Sequence, residues 1–178
     1  MDEIVVFLGW VTPELSSRQN ALYAAINEVG GYRCVRMEYR GQGDEDPESD
    51  SFCTELTADP ESNIFMLILG EQYGDTVHKV DGKSYAEREY EAAEKAGVRR
   101  VALFVPEFEK PYAVSAERER QNAFRARVKA DQETLSLAFE TVVPDSDEDK
   151  FRTAMKDACV KTVVKSLDAM KSVLNQMK

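Results

Sequence analysis

The chain is poor in the residues that most metal and nucleophile sites use. It has one histidine, His78, and three cysteines, Cys34, Cys53 and Cys159. A zinc site, a Ser-His-Asp triad or a Cys-His pair would each have to be built around that single imidazole. His78 stands in a polar stretch, where a surface histidine is the simpler reading. The cysteines lack metal-ligand spacing and sit among apolar neighbours, so all three are expected to be reduced. Basic charge is scarce as well: 23 Lys and Arg against 33 Asp and Glu give a formal net charge of -10. Phosphate backbones and anionic lipid are repelled, so neither nucleic acid nor a membrane surface is an expected partner. The strongest apolar run, Ile64 to Leu69, falls far short of the roughly 20 residues that span a bilayer, and Met1-Asp2-Glu3 lacks a basic signal-peptide start. A cytoplasmic protein is expected.

What is present is 178 residues, 43% of them hydrophobic, enough to bury one core. Ile4 to Leu8 is a compact apolar run, and after Pro13 the residues Leu15, Leu22, Ile26 and Val29 recur at helical spacing up to Gly30-Gly31. Arg33 to Glu38 sets Val35 and Met37 against Arg36 and Glu38, the alternation of a strand near a sheet edge; Arg40 to Asp50 reads as a loop. Phe52 and Leu56 mark a short helix before Asp59-Pro60. Ile64 to Leu69 reads as a central strand covered on both faces. A loop from Gly70 to Asp75 and a turn at Asp81-Gly82 precede a helix that opens at Ser84, with Glu87 completing a capping box, and stops at Gly97. Val101 to Val105 is a fourth strand, Ser115 opens a charged helix, and Leu135 to Val143 contains a fifth strand. Behind Asp145-Ser146-Asp147-Glu148 a helix carries Phe151, Met155, Ala158, Val163, Leu167, Met170 and Leu174 along one side. Strands alternating with helices predict a flavodoxin-like three-layer α/β/α sandwich around a five-stranded, mostly parallel sheet. Residues 1–143 are expected to form the α/β domain and residues 144–178 a long C-terminal helix packed on it or extending from it. A helical pattern that runs to Met177 leads us to expect a piece of a longer protein.

In such a fold ligands sit beyond the carboxyl ends of the strands, where strand order reverses. That rule selects Gly9-Trp10, Glu38-Tyr39 and the loop from Gly70 to Asp75 with the helix after it. On that helix Tyr85, Ala86, Tyr90, Ala92, Ala93 and Ala96 form an apolar stripe with Glu89 in its middle, while Glu87, Arg88, Glu91, Glu94 and Lys95 are expected to face solvent. Glu89 breaks the pattern near the positive end of the helix dipole, where an ionised carboxylate is favoured. A carboxylate so placed can act as a nucleophile or support an oxocarbenium-like sugar centre; a glutamate at the stripe's edge that snorkels to water has the same spacing. Gly70 and Gly74 around Tyr73 would let backbone N–H groups approach a phosphate or ribose. Trp10 behind Gly9 could stack on a base, Glu38 could accept from ribose hydroxyls, and Ser84, chiefly a cap, could add a contact beside Tyr85. A tight turn, a core tryptophan and a solvated strand-end glutamate explain the same residues without a ligand.

The segments VVFLGW (5–10), VRMEY (35–39), MLILGEQYG (66–74), KSYAEREYEAA (83–93) and VALFVP (101–106) together resemble an uncharacterised TIR-like domain family, a domain of unknown function at the N-termini of large NTPase and tetratricopeptide signalling proteins. The most specific pieces are Met37 to Tyr39, Leu69 to Gly74 and Ser84 to Ala93. That family is similar in turn to nucleoside 2-deoxyribosyltransferases and TIR NAD glycohydrolases, which share the flavodoxin-like fold and carry a catalytic Glu on the helix corresponding to Ser84–Ala96. The resemblance assigns that role to Glu89, followed by Ala92, Ala93 and Gly97 as in the deoxyribosyltransferase pattern. Gly9-Trp10-Val11 departs from the usual Ser-Ser-Thr, and Ser17-Arg18 from the usual Glu-Arg. N-glycosidic chemistry on NAD or a nucleoside is implied, with NAD as substrate and with no cofactor or metal. The partner would be a nucleotide-type small molecule. The alternative is a non-catalytic signalling module that associates with itself or a partner protein, or a nucleotide sensor without turnover.

Overall fold

In the computed structural model, which describes residues 4–10, 16–36, 47–61, 63–70, 73, 82–104, 115–138 and 146–176, strands and helices alternate from end to end. The elements are β1 (Ile4–Trp10), α1 (Ser16–Glu28), β2 (Tyr32–Arg36), α2 (Pro47–Ala58), β3 (Ile64–Leu69), α3 (Tyr85–Ala96), β4 (Arg99–Phe104), α4 (Ser115–Ala130), β5 (Thr134–Ala138) and α5 (Glu148–Gln176). The strands pair in the order β2-β1-β3-β4-β5, every neighbouring pair parallel. This is the flavodoxin-like α/β arrangement, and its sheet is wholly parallel. The chain leaves β1 for β2 on one side and comes back to β3 on the other, so the order reverses between β1 and β3.

Alternation of side chains along each strand feeds two cores. Val6 and Leu8 of β1 and Ile64, Met66 and Ile68 of β3 pack with Leu22 and Ile26 of α1 and Val163 and Leu167 of α5. On the opposite face Phe7, Phe65, Leu67 and Leu69 pack with Phe52 and Leu56 of α2, Ala86, Tyr90 and Ala93 of α3, and Phe124 and Val128 of α4. Both faces of β3 are therefore covered, and its six residues are all buried. At about 1.5–3 kcal/mol for each large apolar side chain removed from water, this strand anchors the fold. The Tyr32 hydroxyl donates to the Leu167 carbonyl at 2.9 Å, which ties edge strand β2 to α5.

One boundary and two burial patterns are to be set beside the sequence reading. Helix α2 begins at Pro47, inside the expected loop, because proline is tolerated at a first helical position, where no intrahelical donor is needed. In strand β2 Tyr32 and Cys34 are the buried residues and Val35 is half-buried; Met37 and Glu38, which the sequence reading placed in the same strand, lie outside the described residues. Strand β5 lies at a sheet edge, which leaves Leu135 44% exposed. No helix among the described residues is long and apolar enough to cross a membrane. Cys34 is a buried free thiol.

Candidate active site

Helix α3 is set by its two ends. Ser84 takes the extended conformation of an N-cap, and its hydroxyl accepts from the Glu87 N–H at 3.3 Å. Gly97, at φ 73°, turns left-handed and closes the helix on the carbonyls of Ala93 and Glu94, a conformation that a residue with a Cβ adopts only at a cost. Between these stops the helical period buries Ala86, Glu89, Tyr90 and Ala93 against the sheet.

Glu89 thus enters an apolar layer, where it is only 2% exposed. It lies over the carboxyl end of β1: a Cβ built on Gly9 would stand 2.9 Å from Glu89 Oε2 and 2.8 Å from Phe65 Cζ. Only a residue without a side chain leaves room for the carboxylate and the Phe65 ring above the β1 backbone. Gly9 pairs with Leu67 of β3, at the place where strand order reverses. The structure brings Gly9 and Glu89 together at this point of the sheet.

The neighbouring glutamates are less exposed than the helical wheel predicts. Glu87 accepts from the Tyr73 hydroxyl and from Arg127 Nη1 at 3.5 Å. Glu91 lies between Lys83 Nζ at 2.8 Å and Arg127 Nη1 at 2.7 Å, and these cations hold its carboxyl below the ordinary range in spite of partial burial. The partners come from α4 and the loop before α3, which a wheel drawn for one helix omits. Glu94 and Lys95 are exposed as expected. The Glu87 side chain is engaged by Tyr73, so the expected capping box is reduced to its Ser84 half.

Tyr73 is buried, and its phenol is pushed up by desolvation and by the bond to Glu87, with Ser84 partly opposing the shift. Gly70 is buried at the exit of β3, where its carbonyl receives Gln121 Nε2 at 2.6 Å and Arg125 Nη1 at 2.9 Å. Arg125 Nη1 also reaches the Leu69 carbonyl at 3.1 Å. Gly70 therefore presents a clamped carbonyl. Trp10 ends β1, pairing with Ile68, and Tyr85 opens α3, half-buried. The Trp10 side chain and residues Glu38, Gly74 and His78 lie outside the described residues.

Gln121 and Arg125 are the site residues that the sequence reading missed. Gln121, Phe124, Arg125 and Val128 follow the i, i+3, i+4, i+7 spacing of a buried helical face, and all four are buried. Two polar side chains in such a stripe are the same signal that picks out Glu89.

The roll of α3 that aims Glu89 is held by the next residue. The Tyr90 hydroxyl donates to Asp131 Oδ2 at 2.5 Å and meets Thr134 Oγ1 at 2.9 Å, while its ring packs edge-on against Phe124. Arg100, with its side chain 3% exposed, completes the network at 3.1 Å from Asp131 Oδ2. Burial pushes the Asp131 carboxyl up, but hydrogen bonds from Tyr90, Thr134, the Glu133 N–H and Arg100 outweigh it and hold the group well below the usual carboxylate range. These residues sit at the amino ends of β4 and β5, away from the switch point. Among the described residues no group of three or more His, Cys, Asp and Glu is placed to hold a metal ion.

The family model described as "Domain of unknown function (DUF4062)" matches residues 6–159. That span runs from β1 into α5 and takes in Gly9, Gly70, Glu89 and Gln121. No curated protein matches the chain.

Proposed function

We propose that this chain, which belongs to the DUF4062 family, is a TIR-like domain that cleaves the N-glycosidic bond of NAD or a related nucleoside or nucleotide. The observation that carries the reading is the Glu89 carboxylate, buried in an apolar layer over Gly9 where strand order reverses. In the reaction the bond between C1′ and the base nitrogen breaks and its electron pair leaves with the base. Positive charge then develops at C1′, and Glu89 offsets it electrostatically or attacks C1′ directly; water or another acceptor completes the transfer. An apolar surround strengthens this interaction, because the effective dielectric there is low. Tyr73, Gly70, Trp10 and Tyr85 would shape the pocket around the sugar and base, with NAD consumed as a substrate. The same reading makes the chain the enzymatic part of a larger signalling protein.

The test is release of free base, followed by chromatography, from NAD and a panel of nucleosides at high protein concentration, with Glu89→Gln alongside. The wild type should release base, and Glu89→Gln should lower the rate about 100-fold or more while keeping the fold. Equal rates in the two proteins would remove Glu89 from the chemistry.

A second reading is a non-catalytic assembly module or nucleotide sensor. Its support is edge strand β5, whose Leu135 is the exposed large hydrophobic residue among those described. A strict monomer by light scattering over a wide concentration range would count against assembly.

A further inference from the structure

The clamp at the exit of β3 contains an acceptor atom that the fold does not use. Gln121 is fully buried, and its Nε2 donates to the Gly70 carbonyl. That bond fixes which end of the carboxamide faces Gly70, since the reverse orientation would set oxygen against oxygen. Oε1 is turned elsewhere, and it is the buried side-chain polar atom among the described residues without a hydrogen-bond partner. Native proteins satisfy nearly all such groups, so each exception asks for an explanation. Removing the amide would be simple for a purely structural position: an apolar residue of similar size would continue the stripe of Phe124 and Val128.

The surroundings bear on what the oxygen is for. Arg125, one helical turn on, binds the carbonyls of Leu69 and Gly70 and lies 5.3 Å over the Phe104 ring at the end of β4. Gln121 is thus held at the carboxyl end of the sheet by a rigid neighbour. It also shares a sheet face with Glu89, since Phe124 and Val128 of α4 pack in the same core layer as Ala86, Tyr90 and Ala93 of α3. Both groups are acceptors, both are buried, and both stand at the ends of strands that flank or follow the switch point.

We propose that Gln121 determines the specificity of this site, with its Oε1 accepting a hydrogen bond from an N–H donor, a primary amide or amino group, on the base of the ligand. This rests on the reading of Glu89 as the glycosidic carboxylate and adds the class of base: one that carries an amide or amino donor and not a carboxylate or oxo group in its place. A site that spends a buried acceptor on such a donor rejects the analogue that lacks it, because the acceptor is then left unpaired or faces another oxygen.

The experiment is a calorimetric titration of the whole chain with two matched pairs of free bases, nicotinamide against nicotinic acid and adenine against purine, on the wild type, Glu89→Gln and Gln121→Met. The donor-bearing member of at least one pair should bind about 10-fold or more tightly than its mate in the wild type and in Glu89→Gln, and Gln121→Met should lose the preference. Equal affinity within both pairs in the wild type, or no binding of any of the four, overturns the proposal, as does a preference that survives Gln121→Met. The wild-type comparison decides even if Gln121→Met does not fold. Binding is read without turnover, so a preference with no base release would reject the glycosidic reading and keep Gln121, while base release without a preference would do the reverse.

Discussion

Glu89 and Gly9 are packed so closely that a single methyl group on the glycine would stand 2.9 Å from the carboxylate. The same methyl would press on the Phe65 ring, so the contact has a flexible side and a rigid one. Gly9→Ala is expected to cost about 1–3 kcal/mol, because the buried Phe65 ring cannot move aside freely. It should also displace Glu89 and depress base release more than stability alone explains. Urea unfolding and the base-release assay check the two effects. Gly30→Ala, where a Cβ meets nothing within 4 Å, is the matched control and should stay within about 0.5 kcal/mol of wild type.

The Asp131 network predicts both a magnitude and a pH dependence. Asp131→Asn leaves the nearly buried Arg100 short of its main counter-charge and should destabilise by roughly 3 kcal/mol. The Asp131 carboxyl is depressed in the fold, so its contribution is present in full above the ordinary carboxylate value near 4. It is lost progressively as pH falls below that value. The acid limb of the wild-type stability curve should therefore be steeper than that of Asp131→Asn. Parallel limbs in chemical denaturation from pH 6 to pH 2 would show that the network does not carry the linkage.

Alkaline titration tests the opposite sign. The phenols of Tyr32, Tyr73 and Tyr90 are all pushed up, in each case foremost by burial. Their contribution is complete below the ordinary phenol value of about 10 and is lost as pH rises past it. Tyr73→Phe should flatten part of that loss. At neutral pH it should cost about 1 kcal/mol, since Glu87 keeps its contact with Arg127. Ultraviolet difference titration of wild type against Tyr73→Phe isolates the phenol.

Cys34 should be inert in the folded chain. Burial pushes its thiol up to about 12, with Arg36 only partly opposing the shift, so almost no thiolate is present at pH 8. Iodoacetamide followed by mass spectrometry should find Cys34 unmodified under native conditions and modified in urea. Native labelling at a rate like that of the unfolded chain would contradict its placement.

Residue order alone determined the parts of this protein that depend on near neighbours. The uninterrupted run Ile64 to Leu69 announced the central strand, Ser84 and Gly97 marked the ends of α3, and the helical period singled out Glu89, because strand burial, capping and amphipathicity all act within a few residues. The strand alternation also implied a parallel sheet and directed attention to its carboxyl end. Tertiary structure decided the rest. That Glu89 lies on Gly9 and Phe65, that Arg127 draws in Glu87 and Glu91, and that Gln121 and Arg125 converge on the Gly70 carbonyl are consequences of the order β2-β1-β3-β4-β5. That order brings together side chains from distant elements, and a pattern confined to one helix or one strand carries no record of which neighbour it will meet.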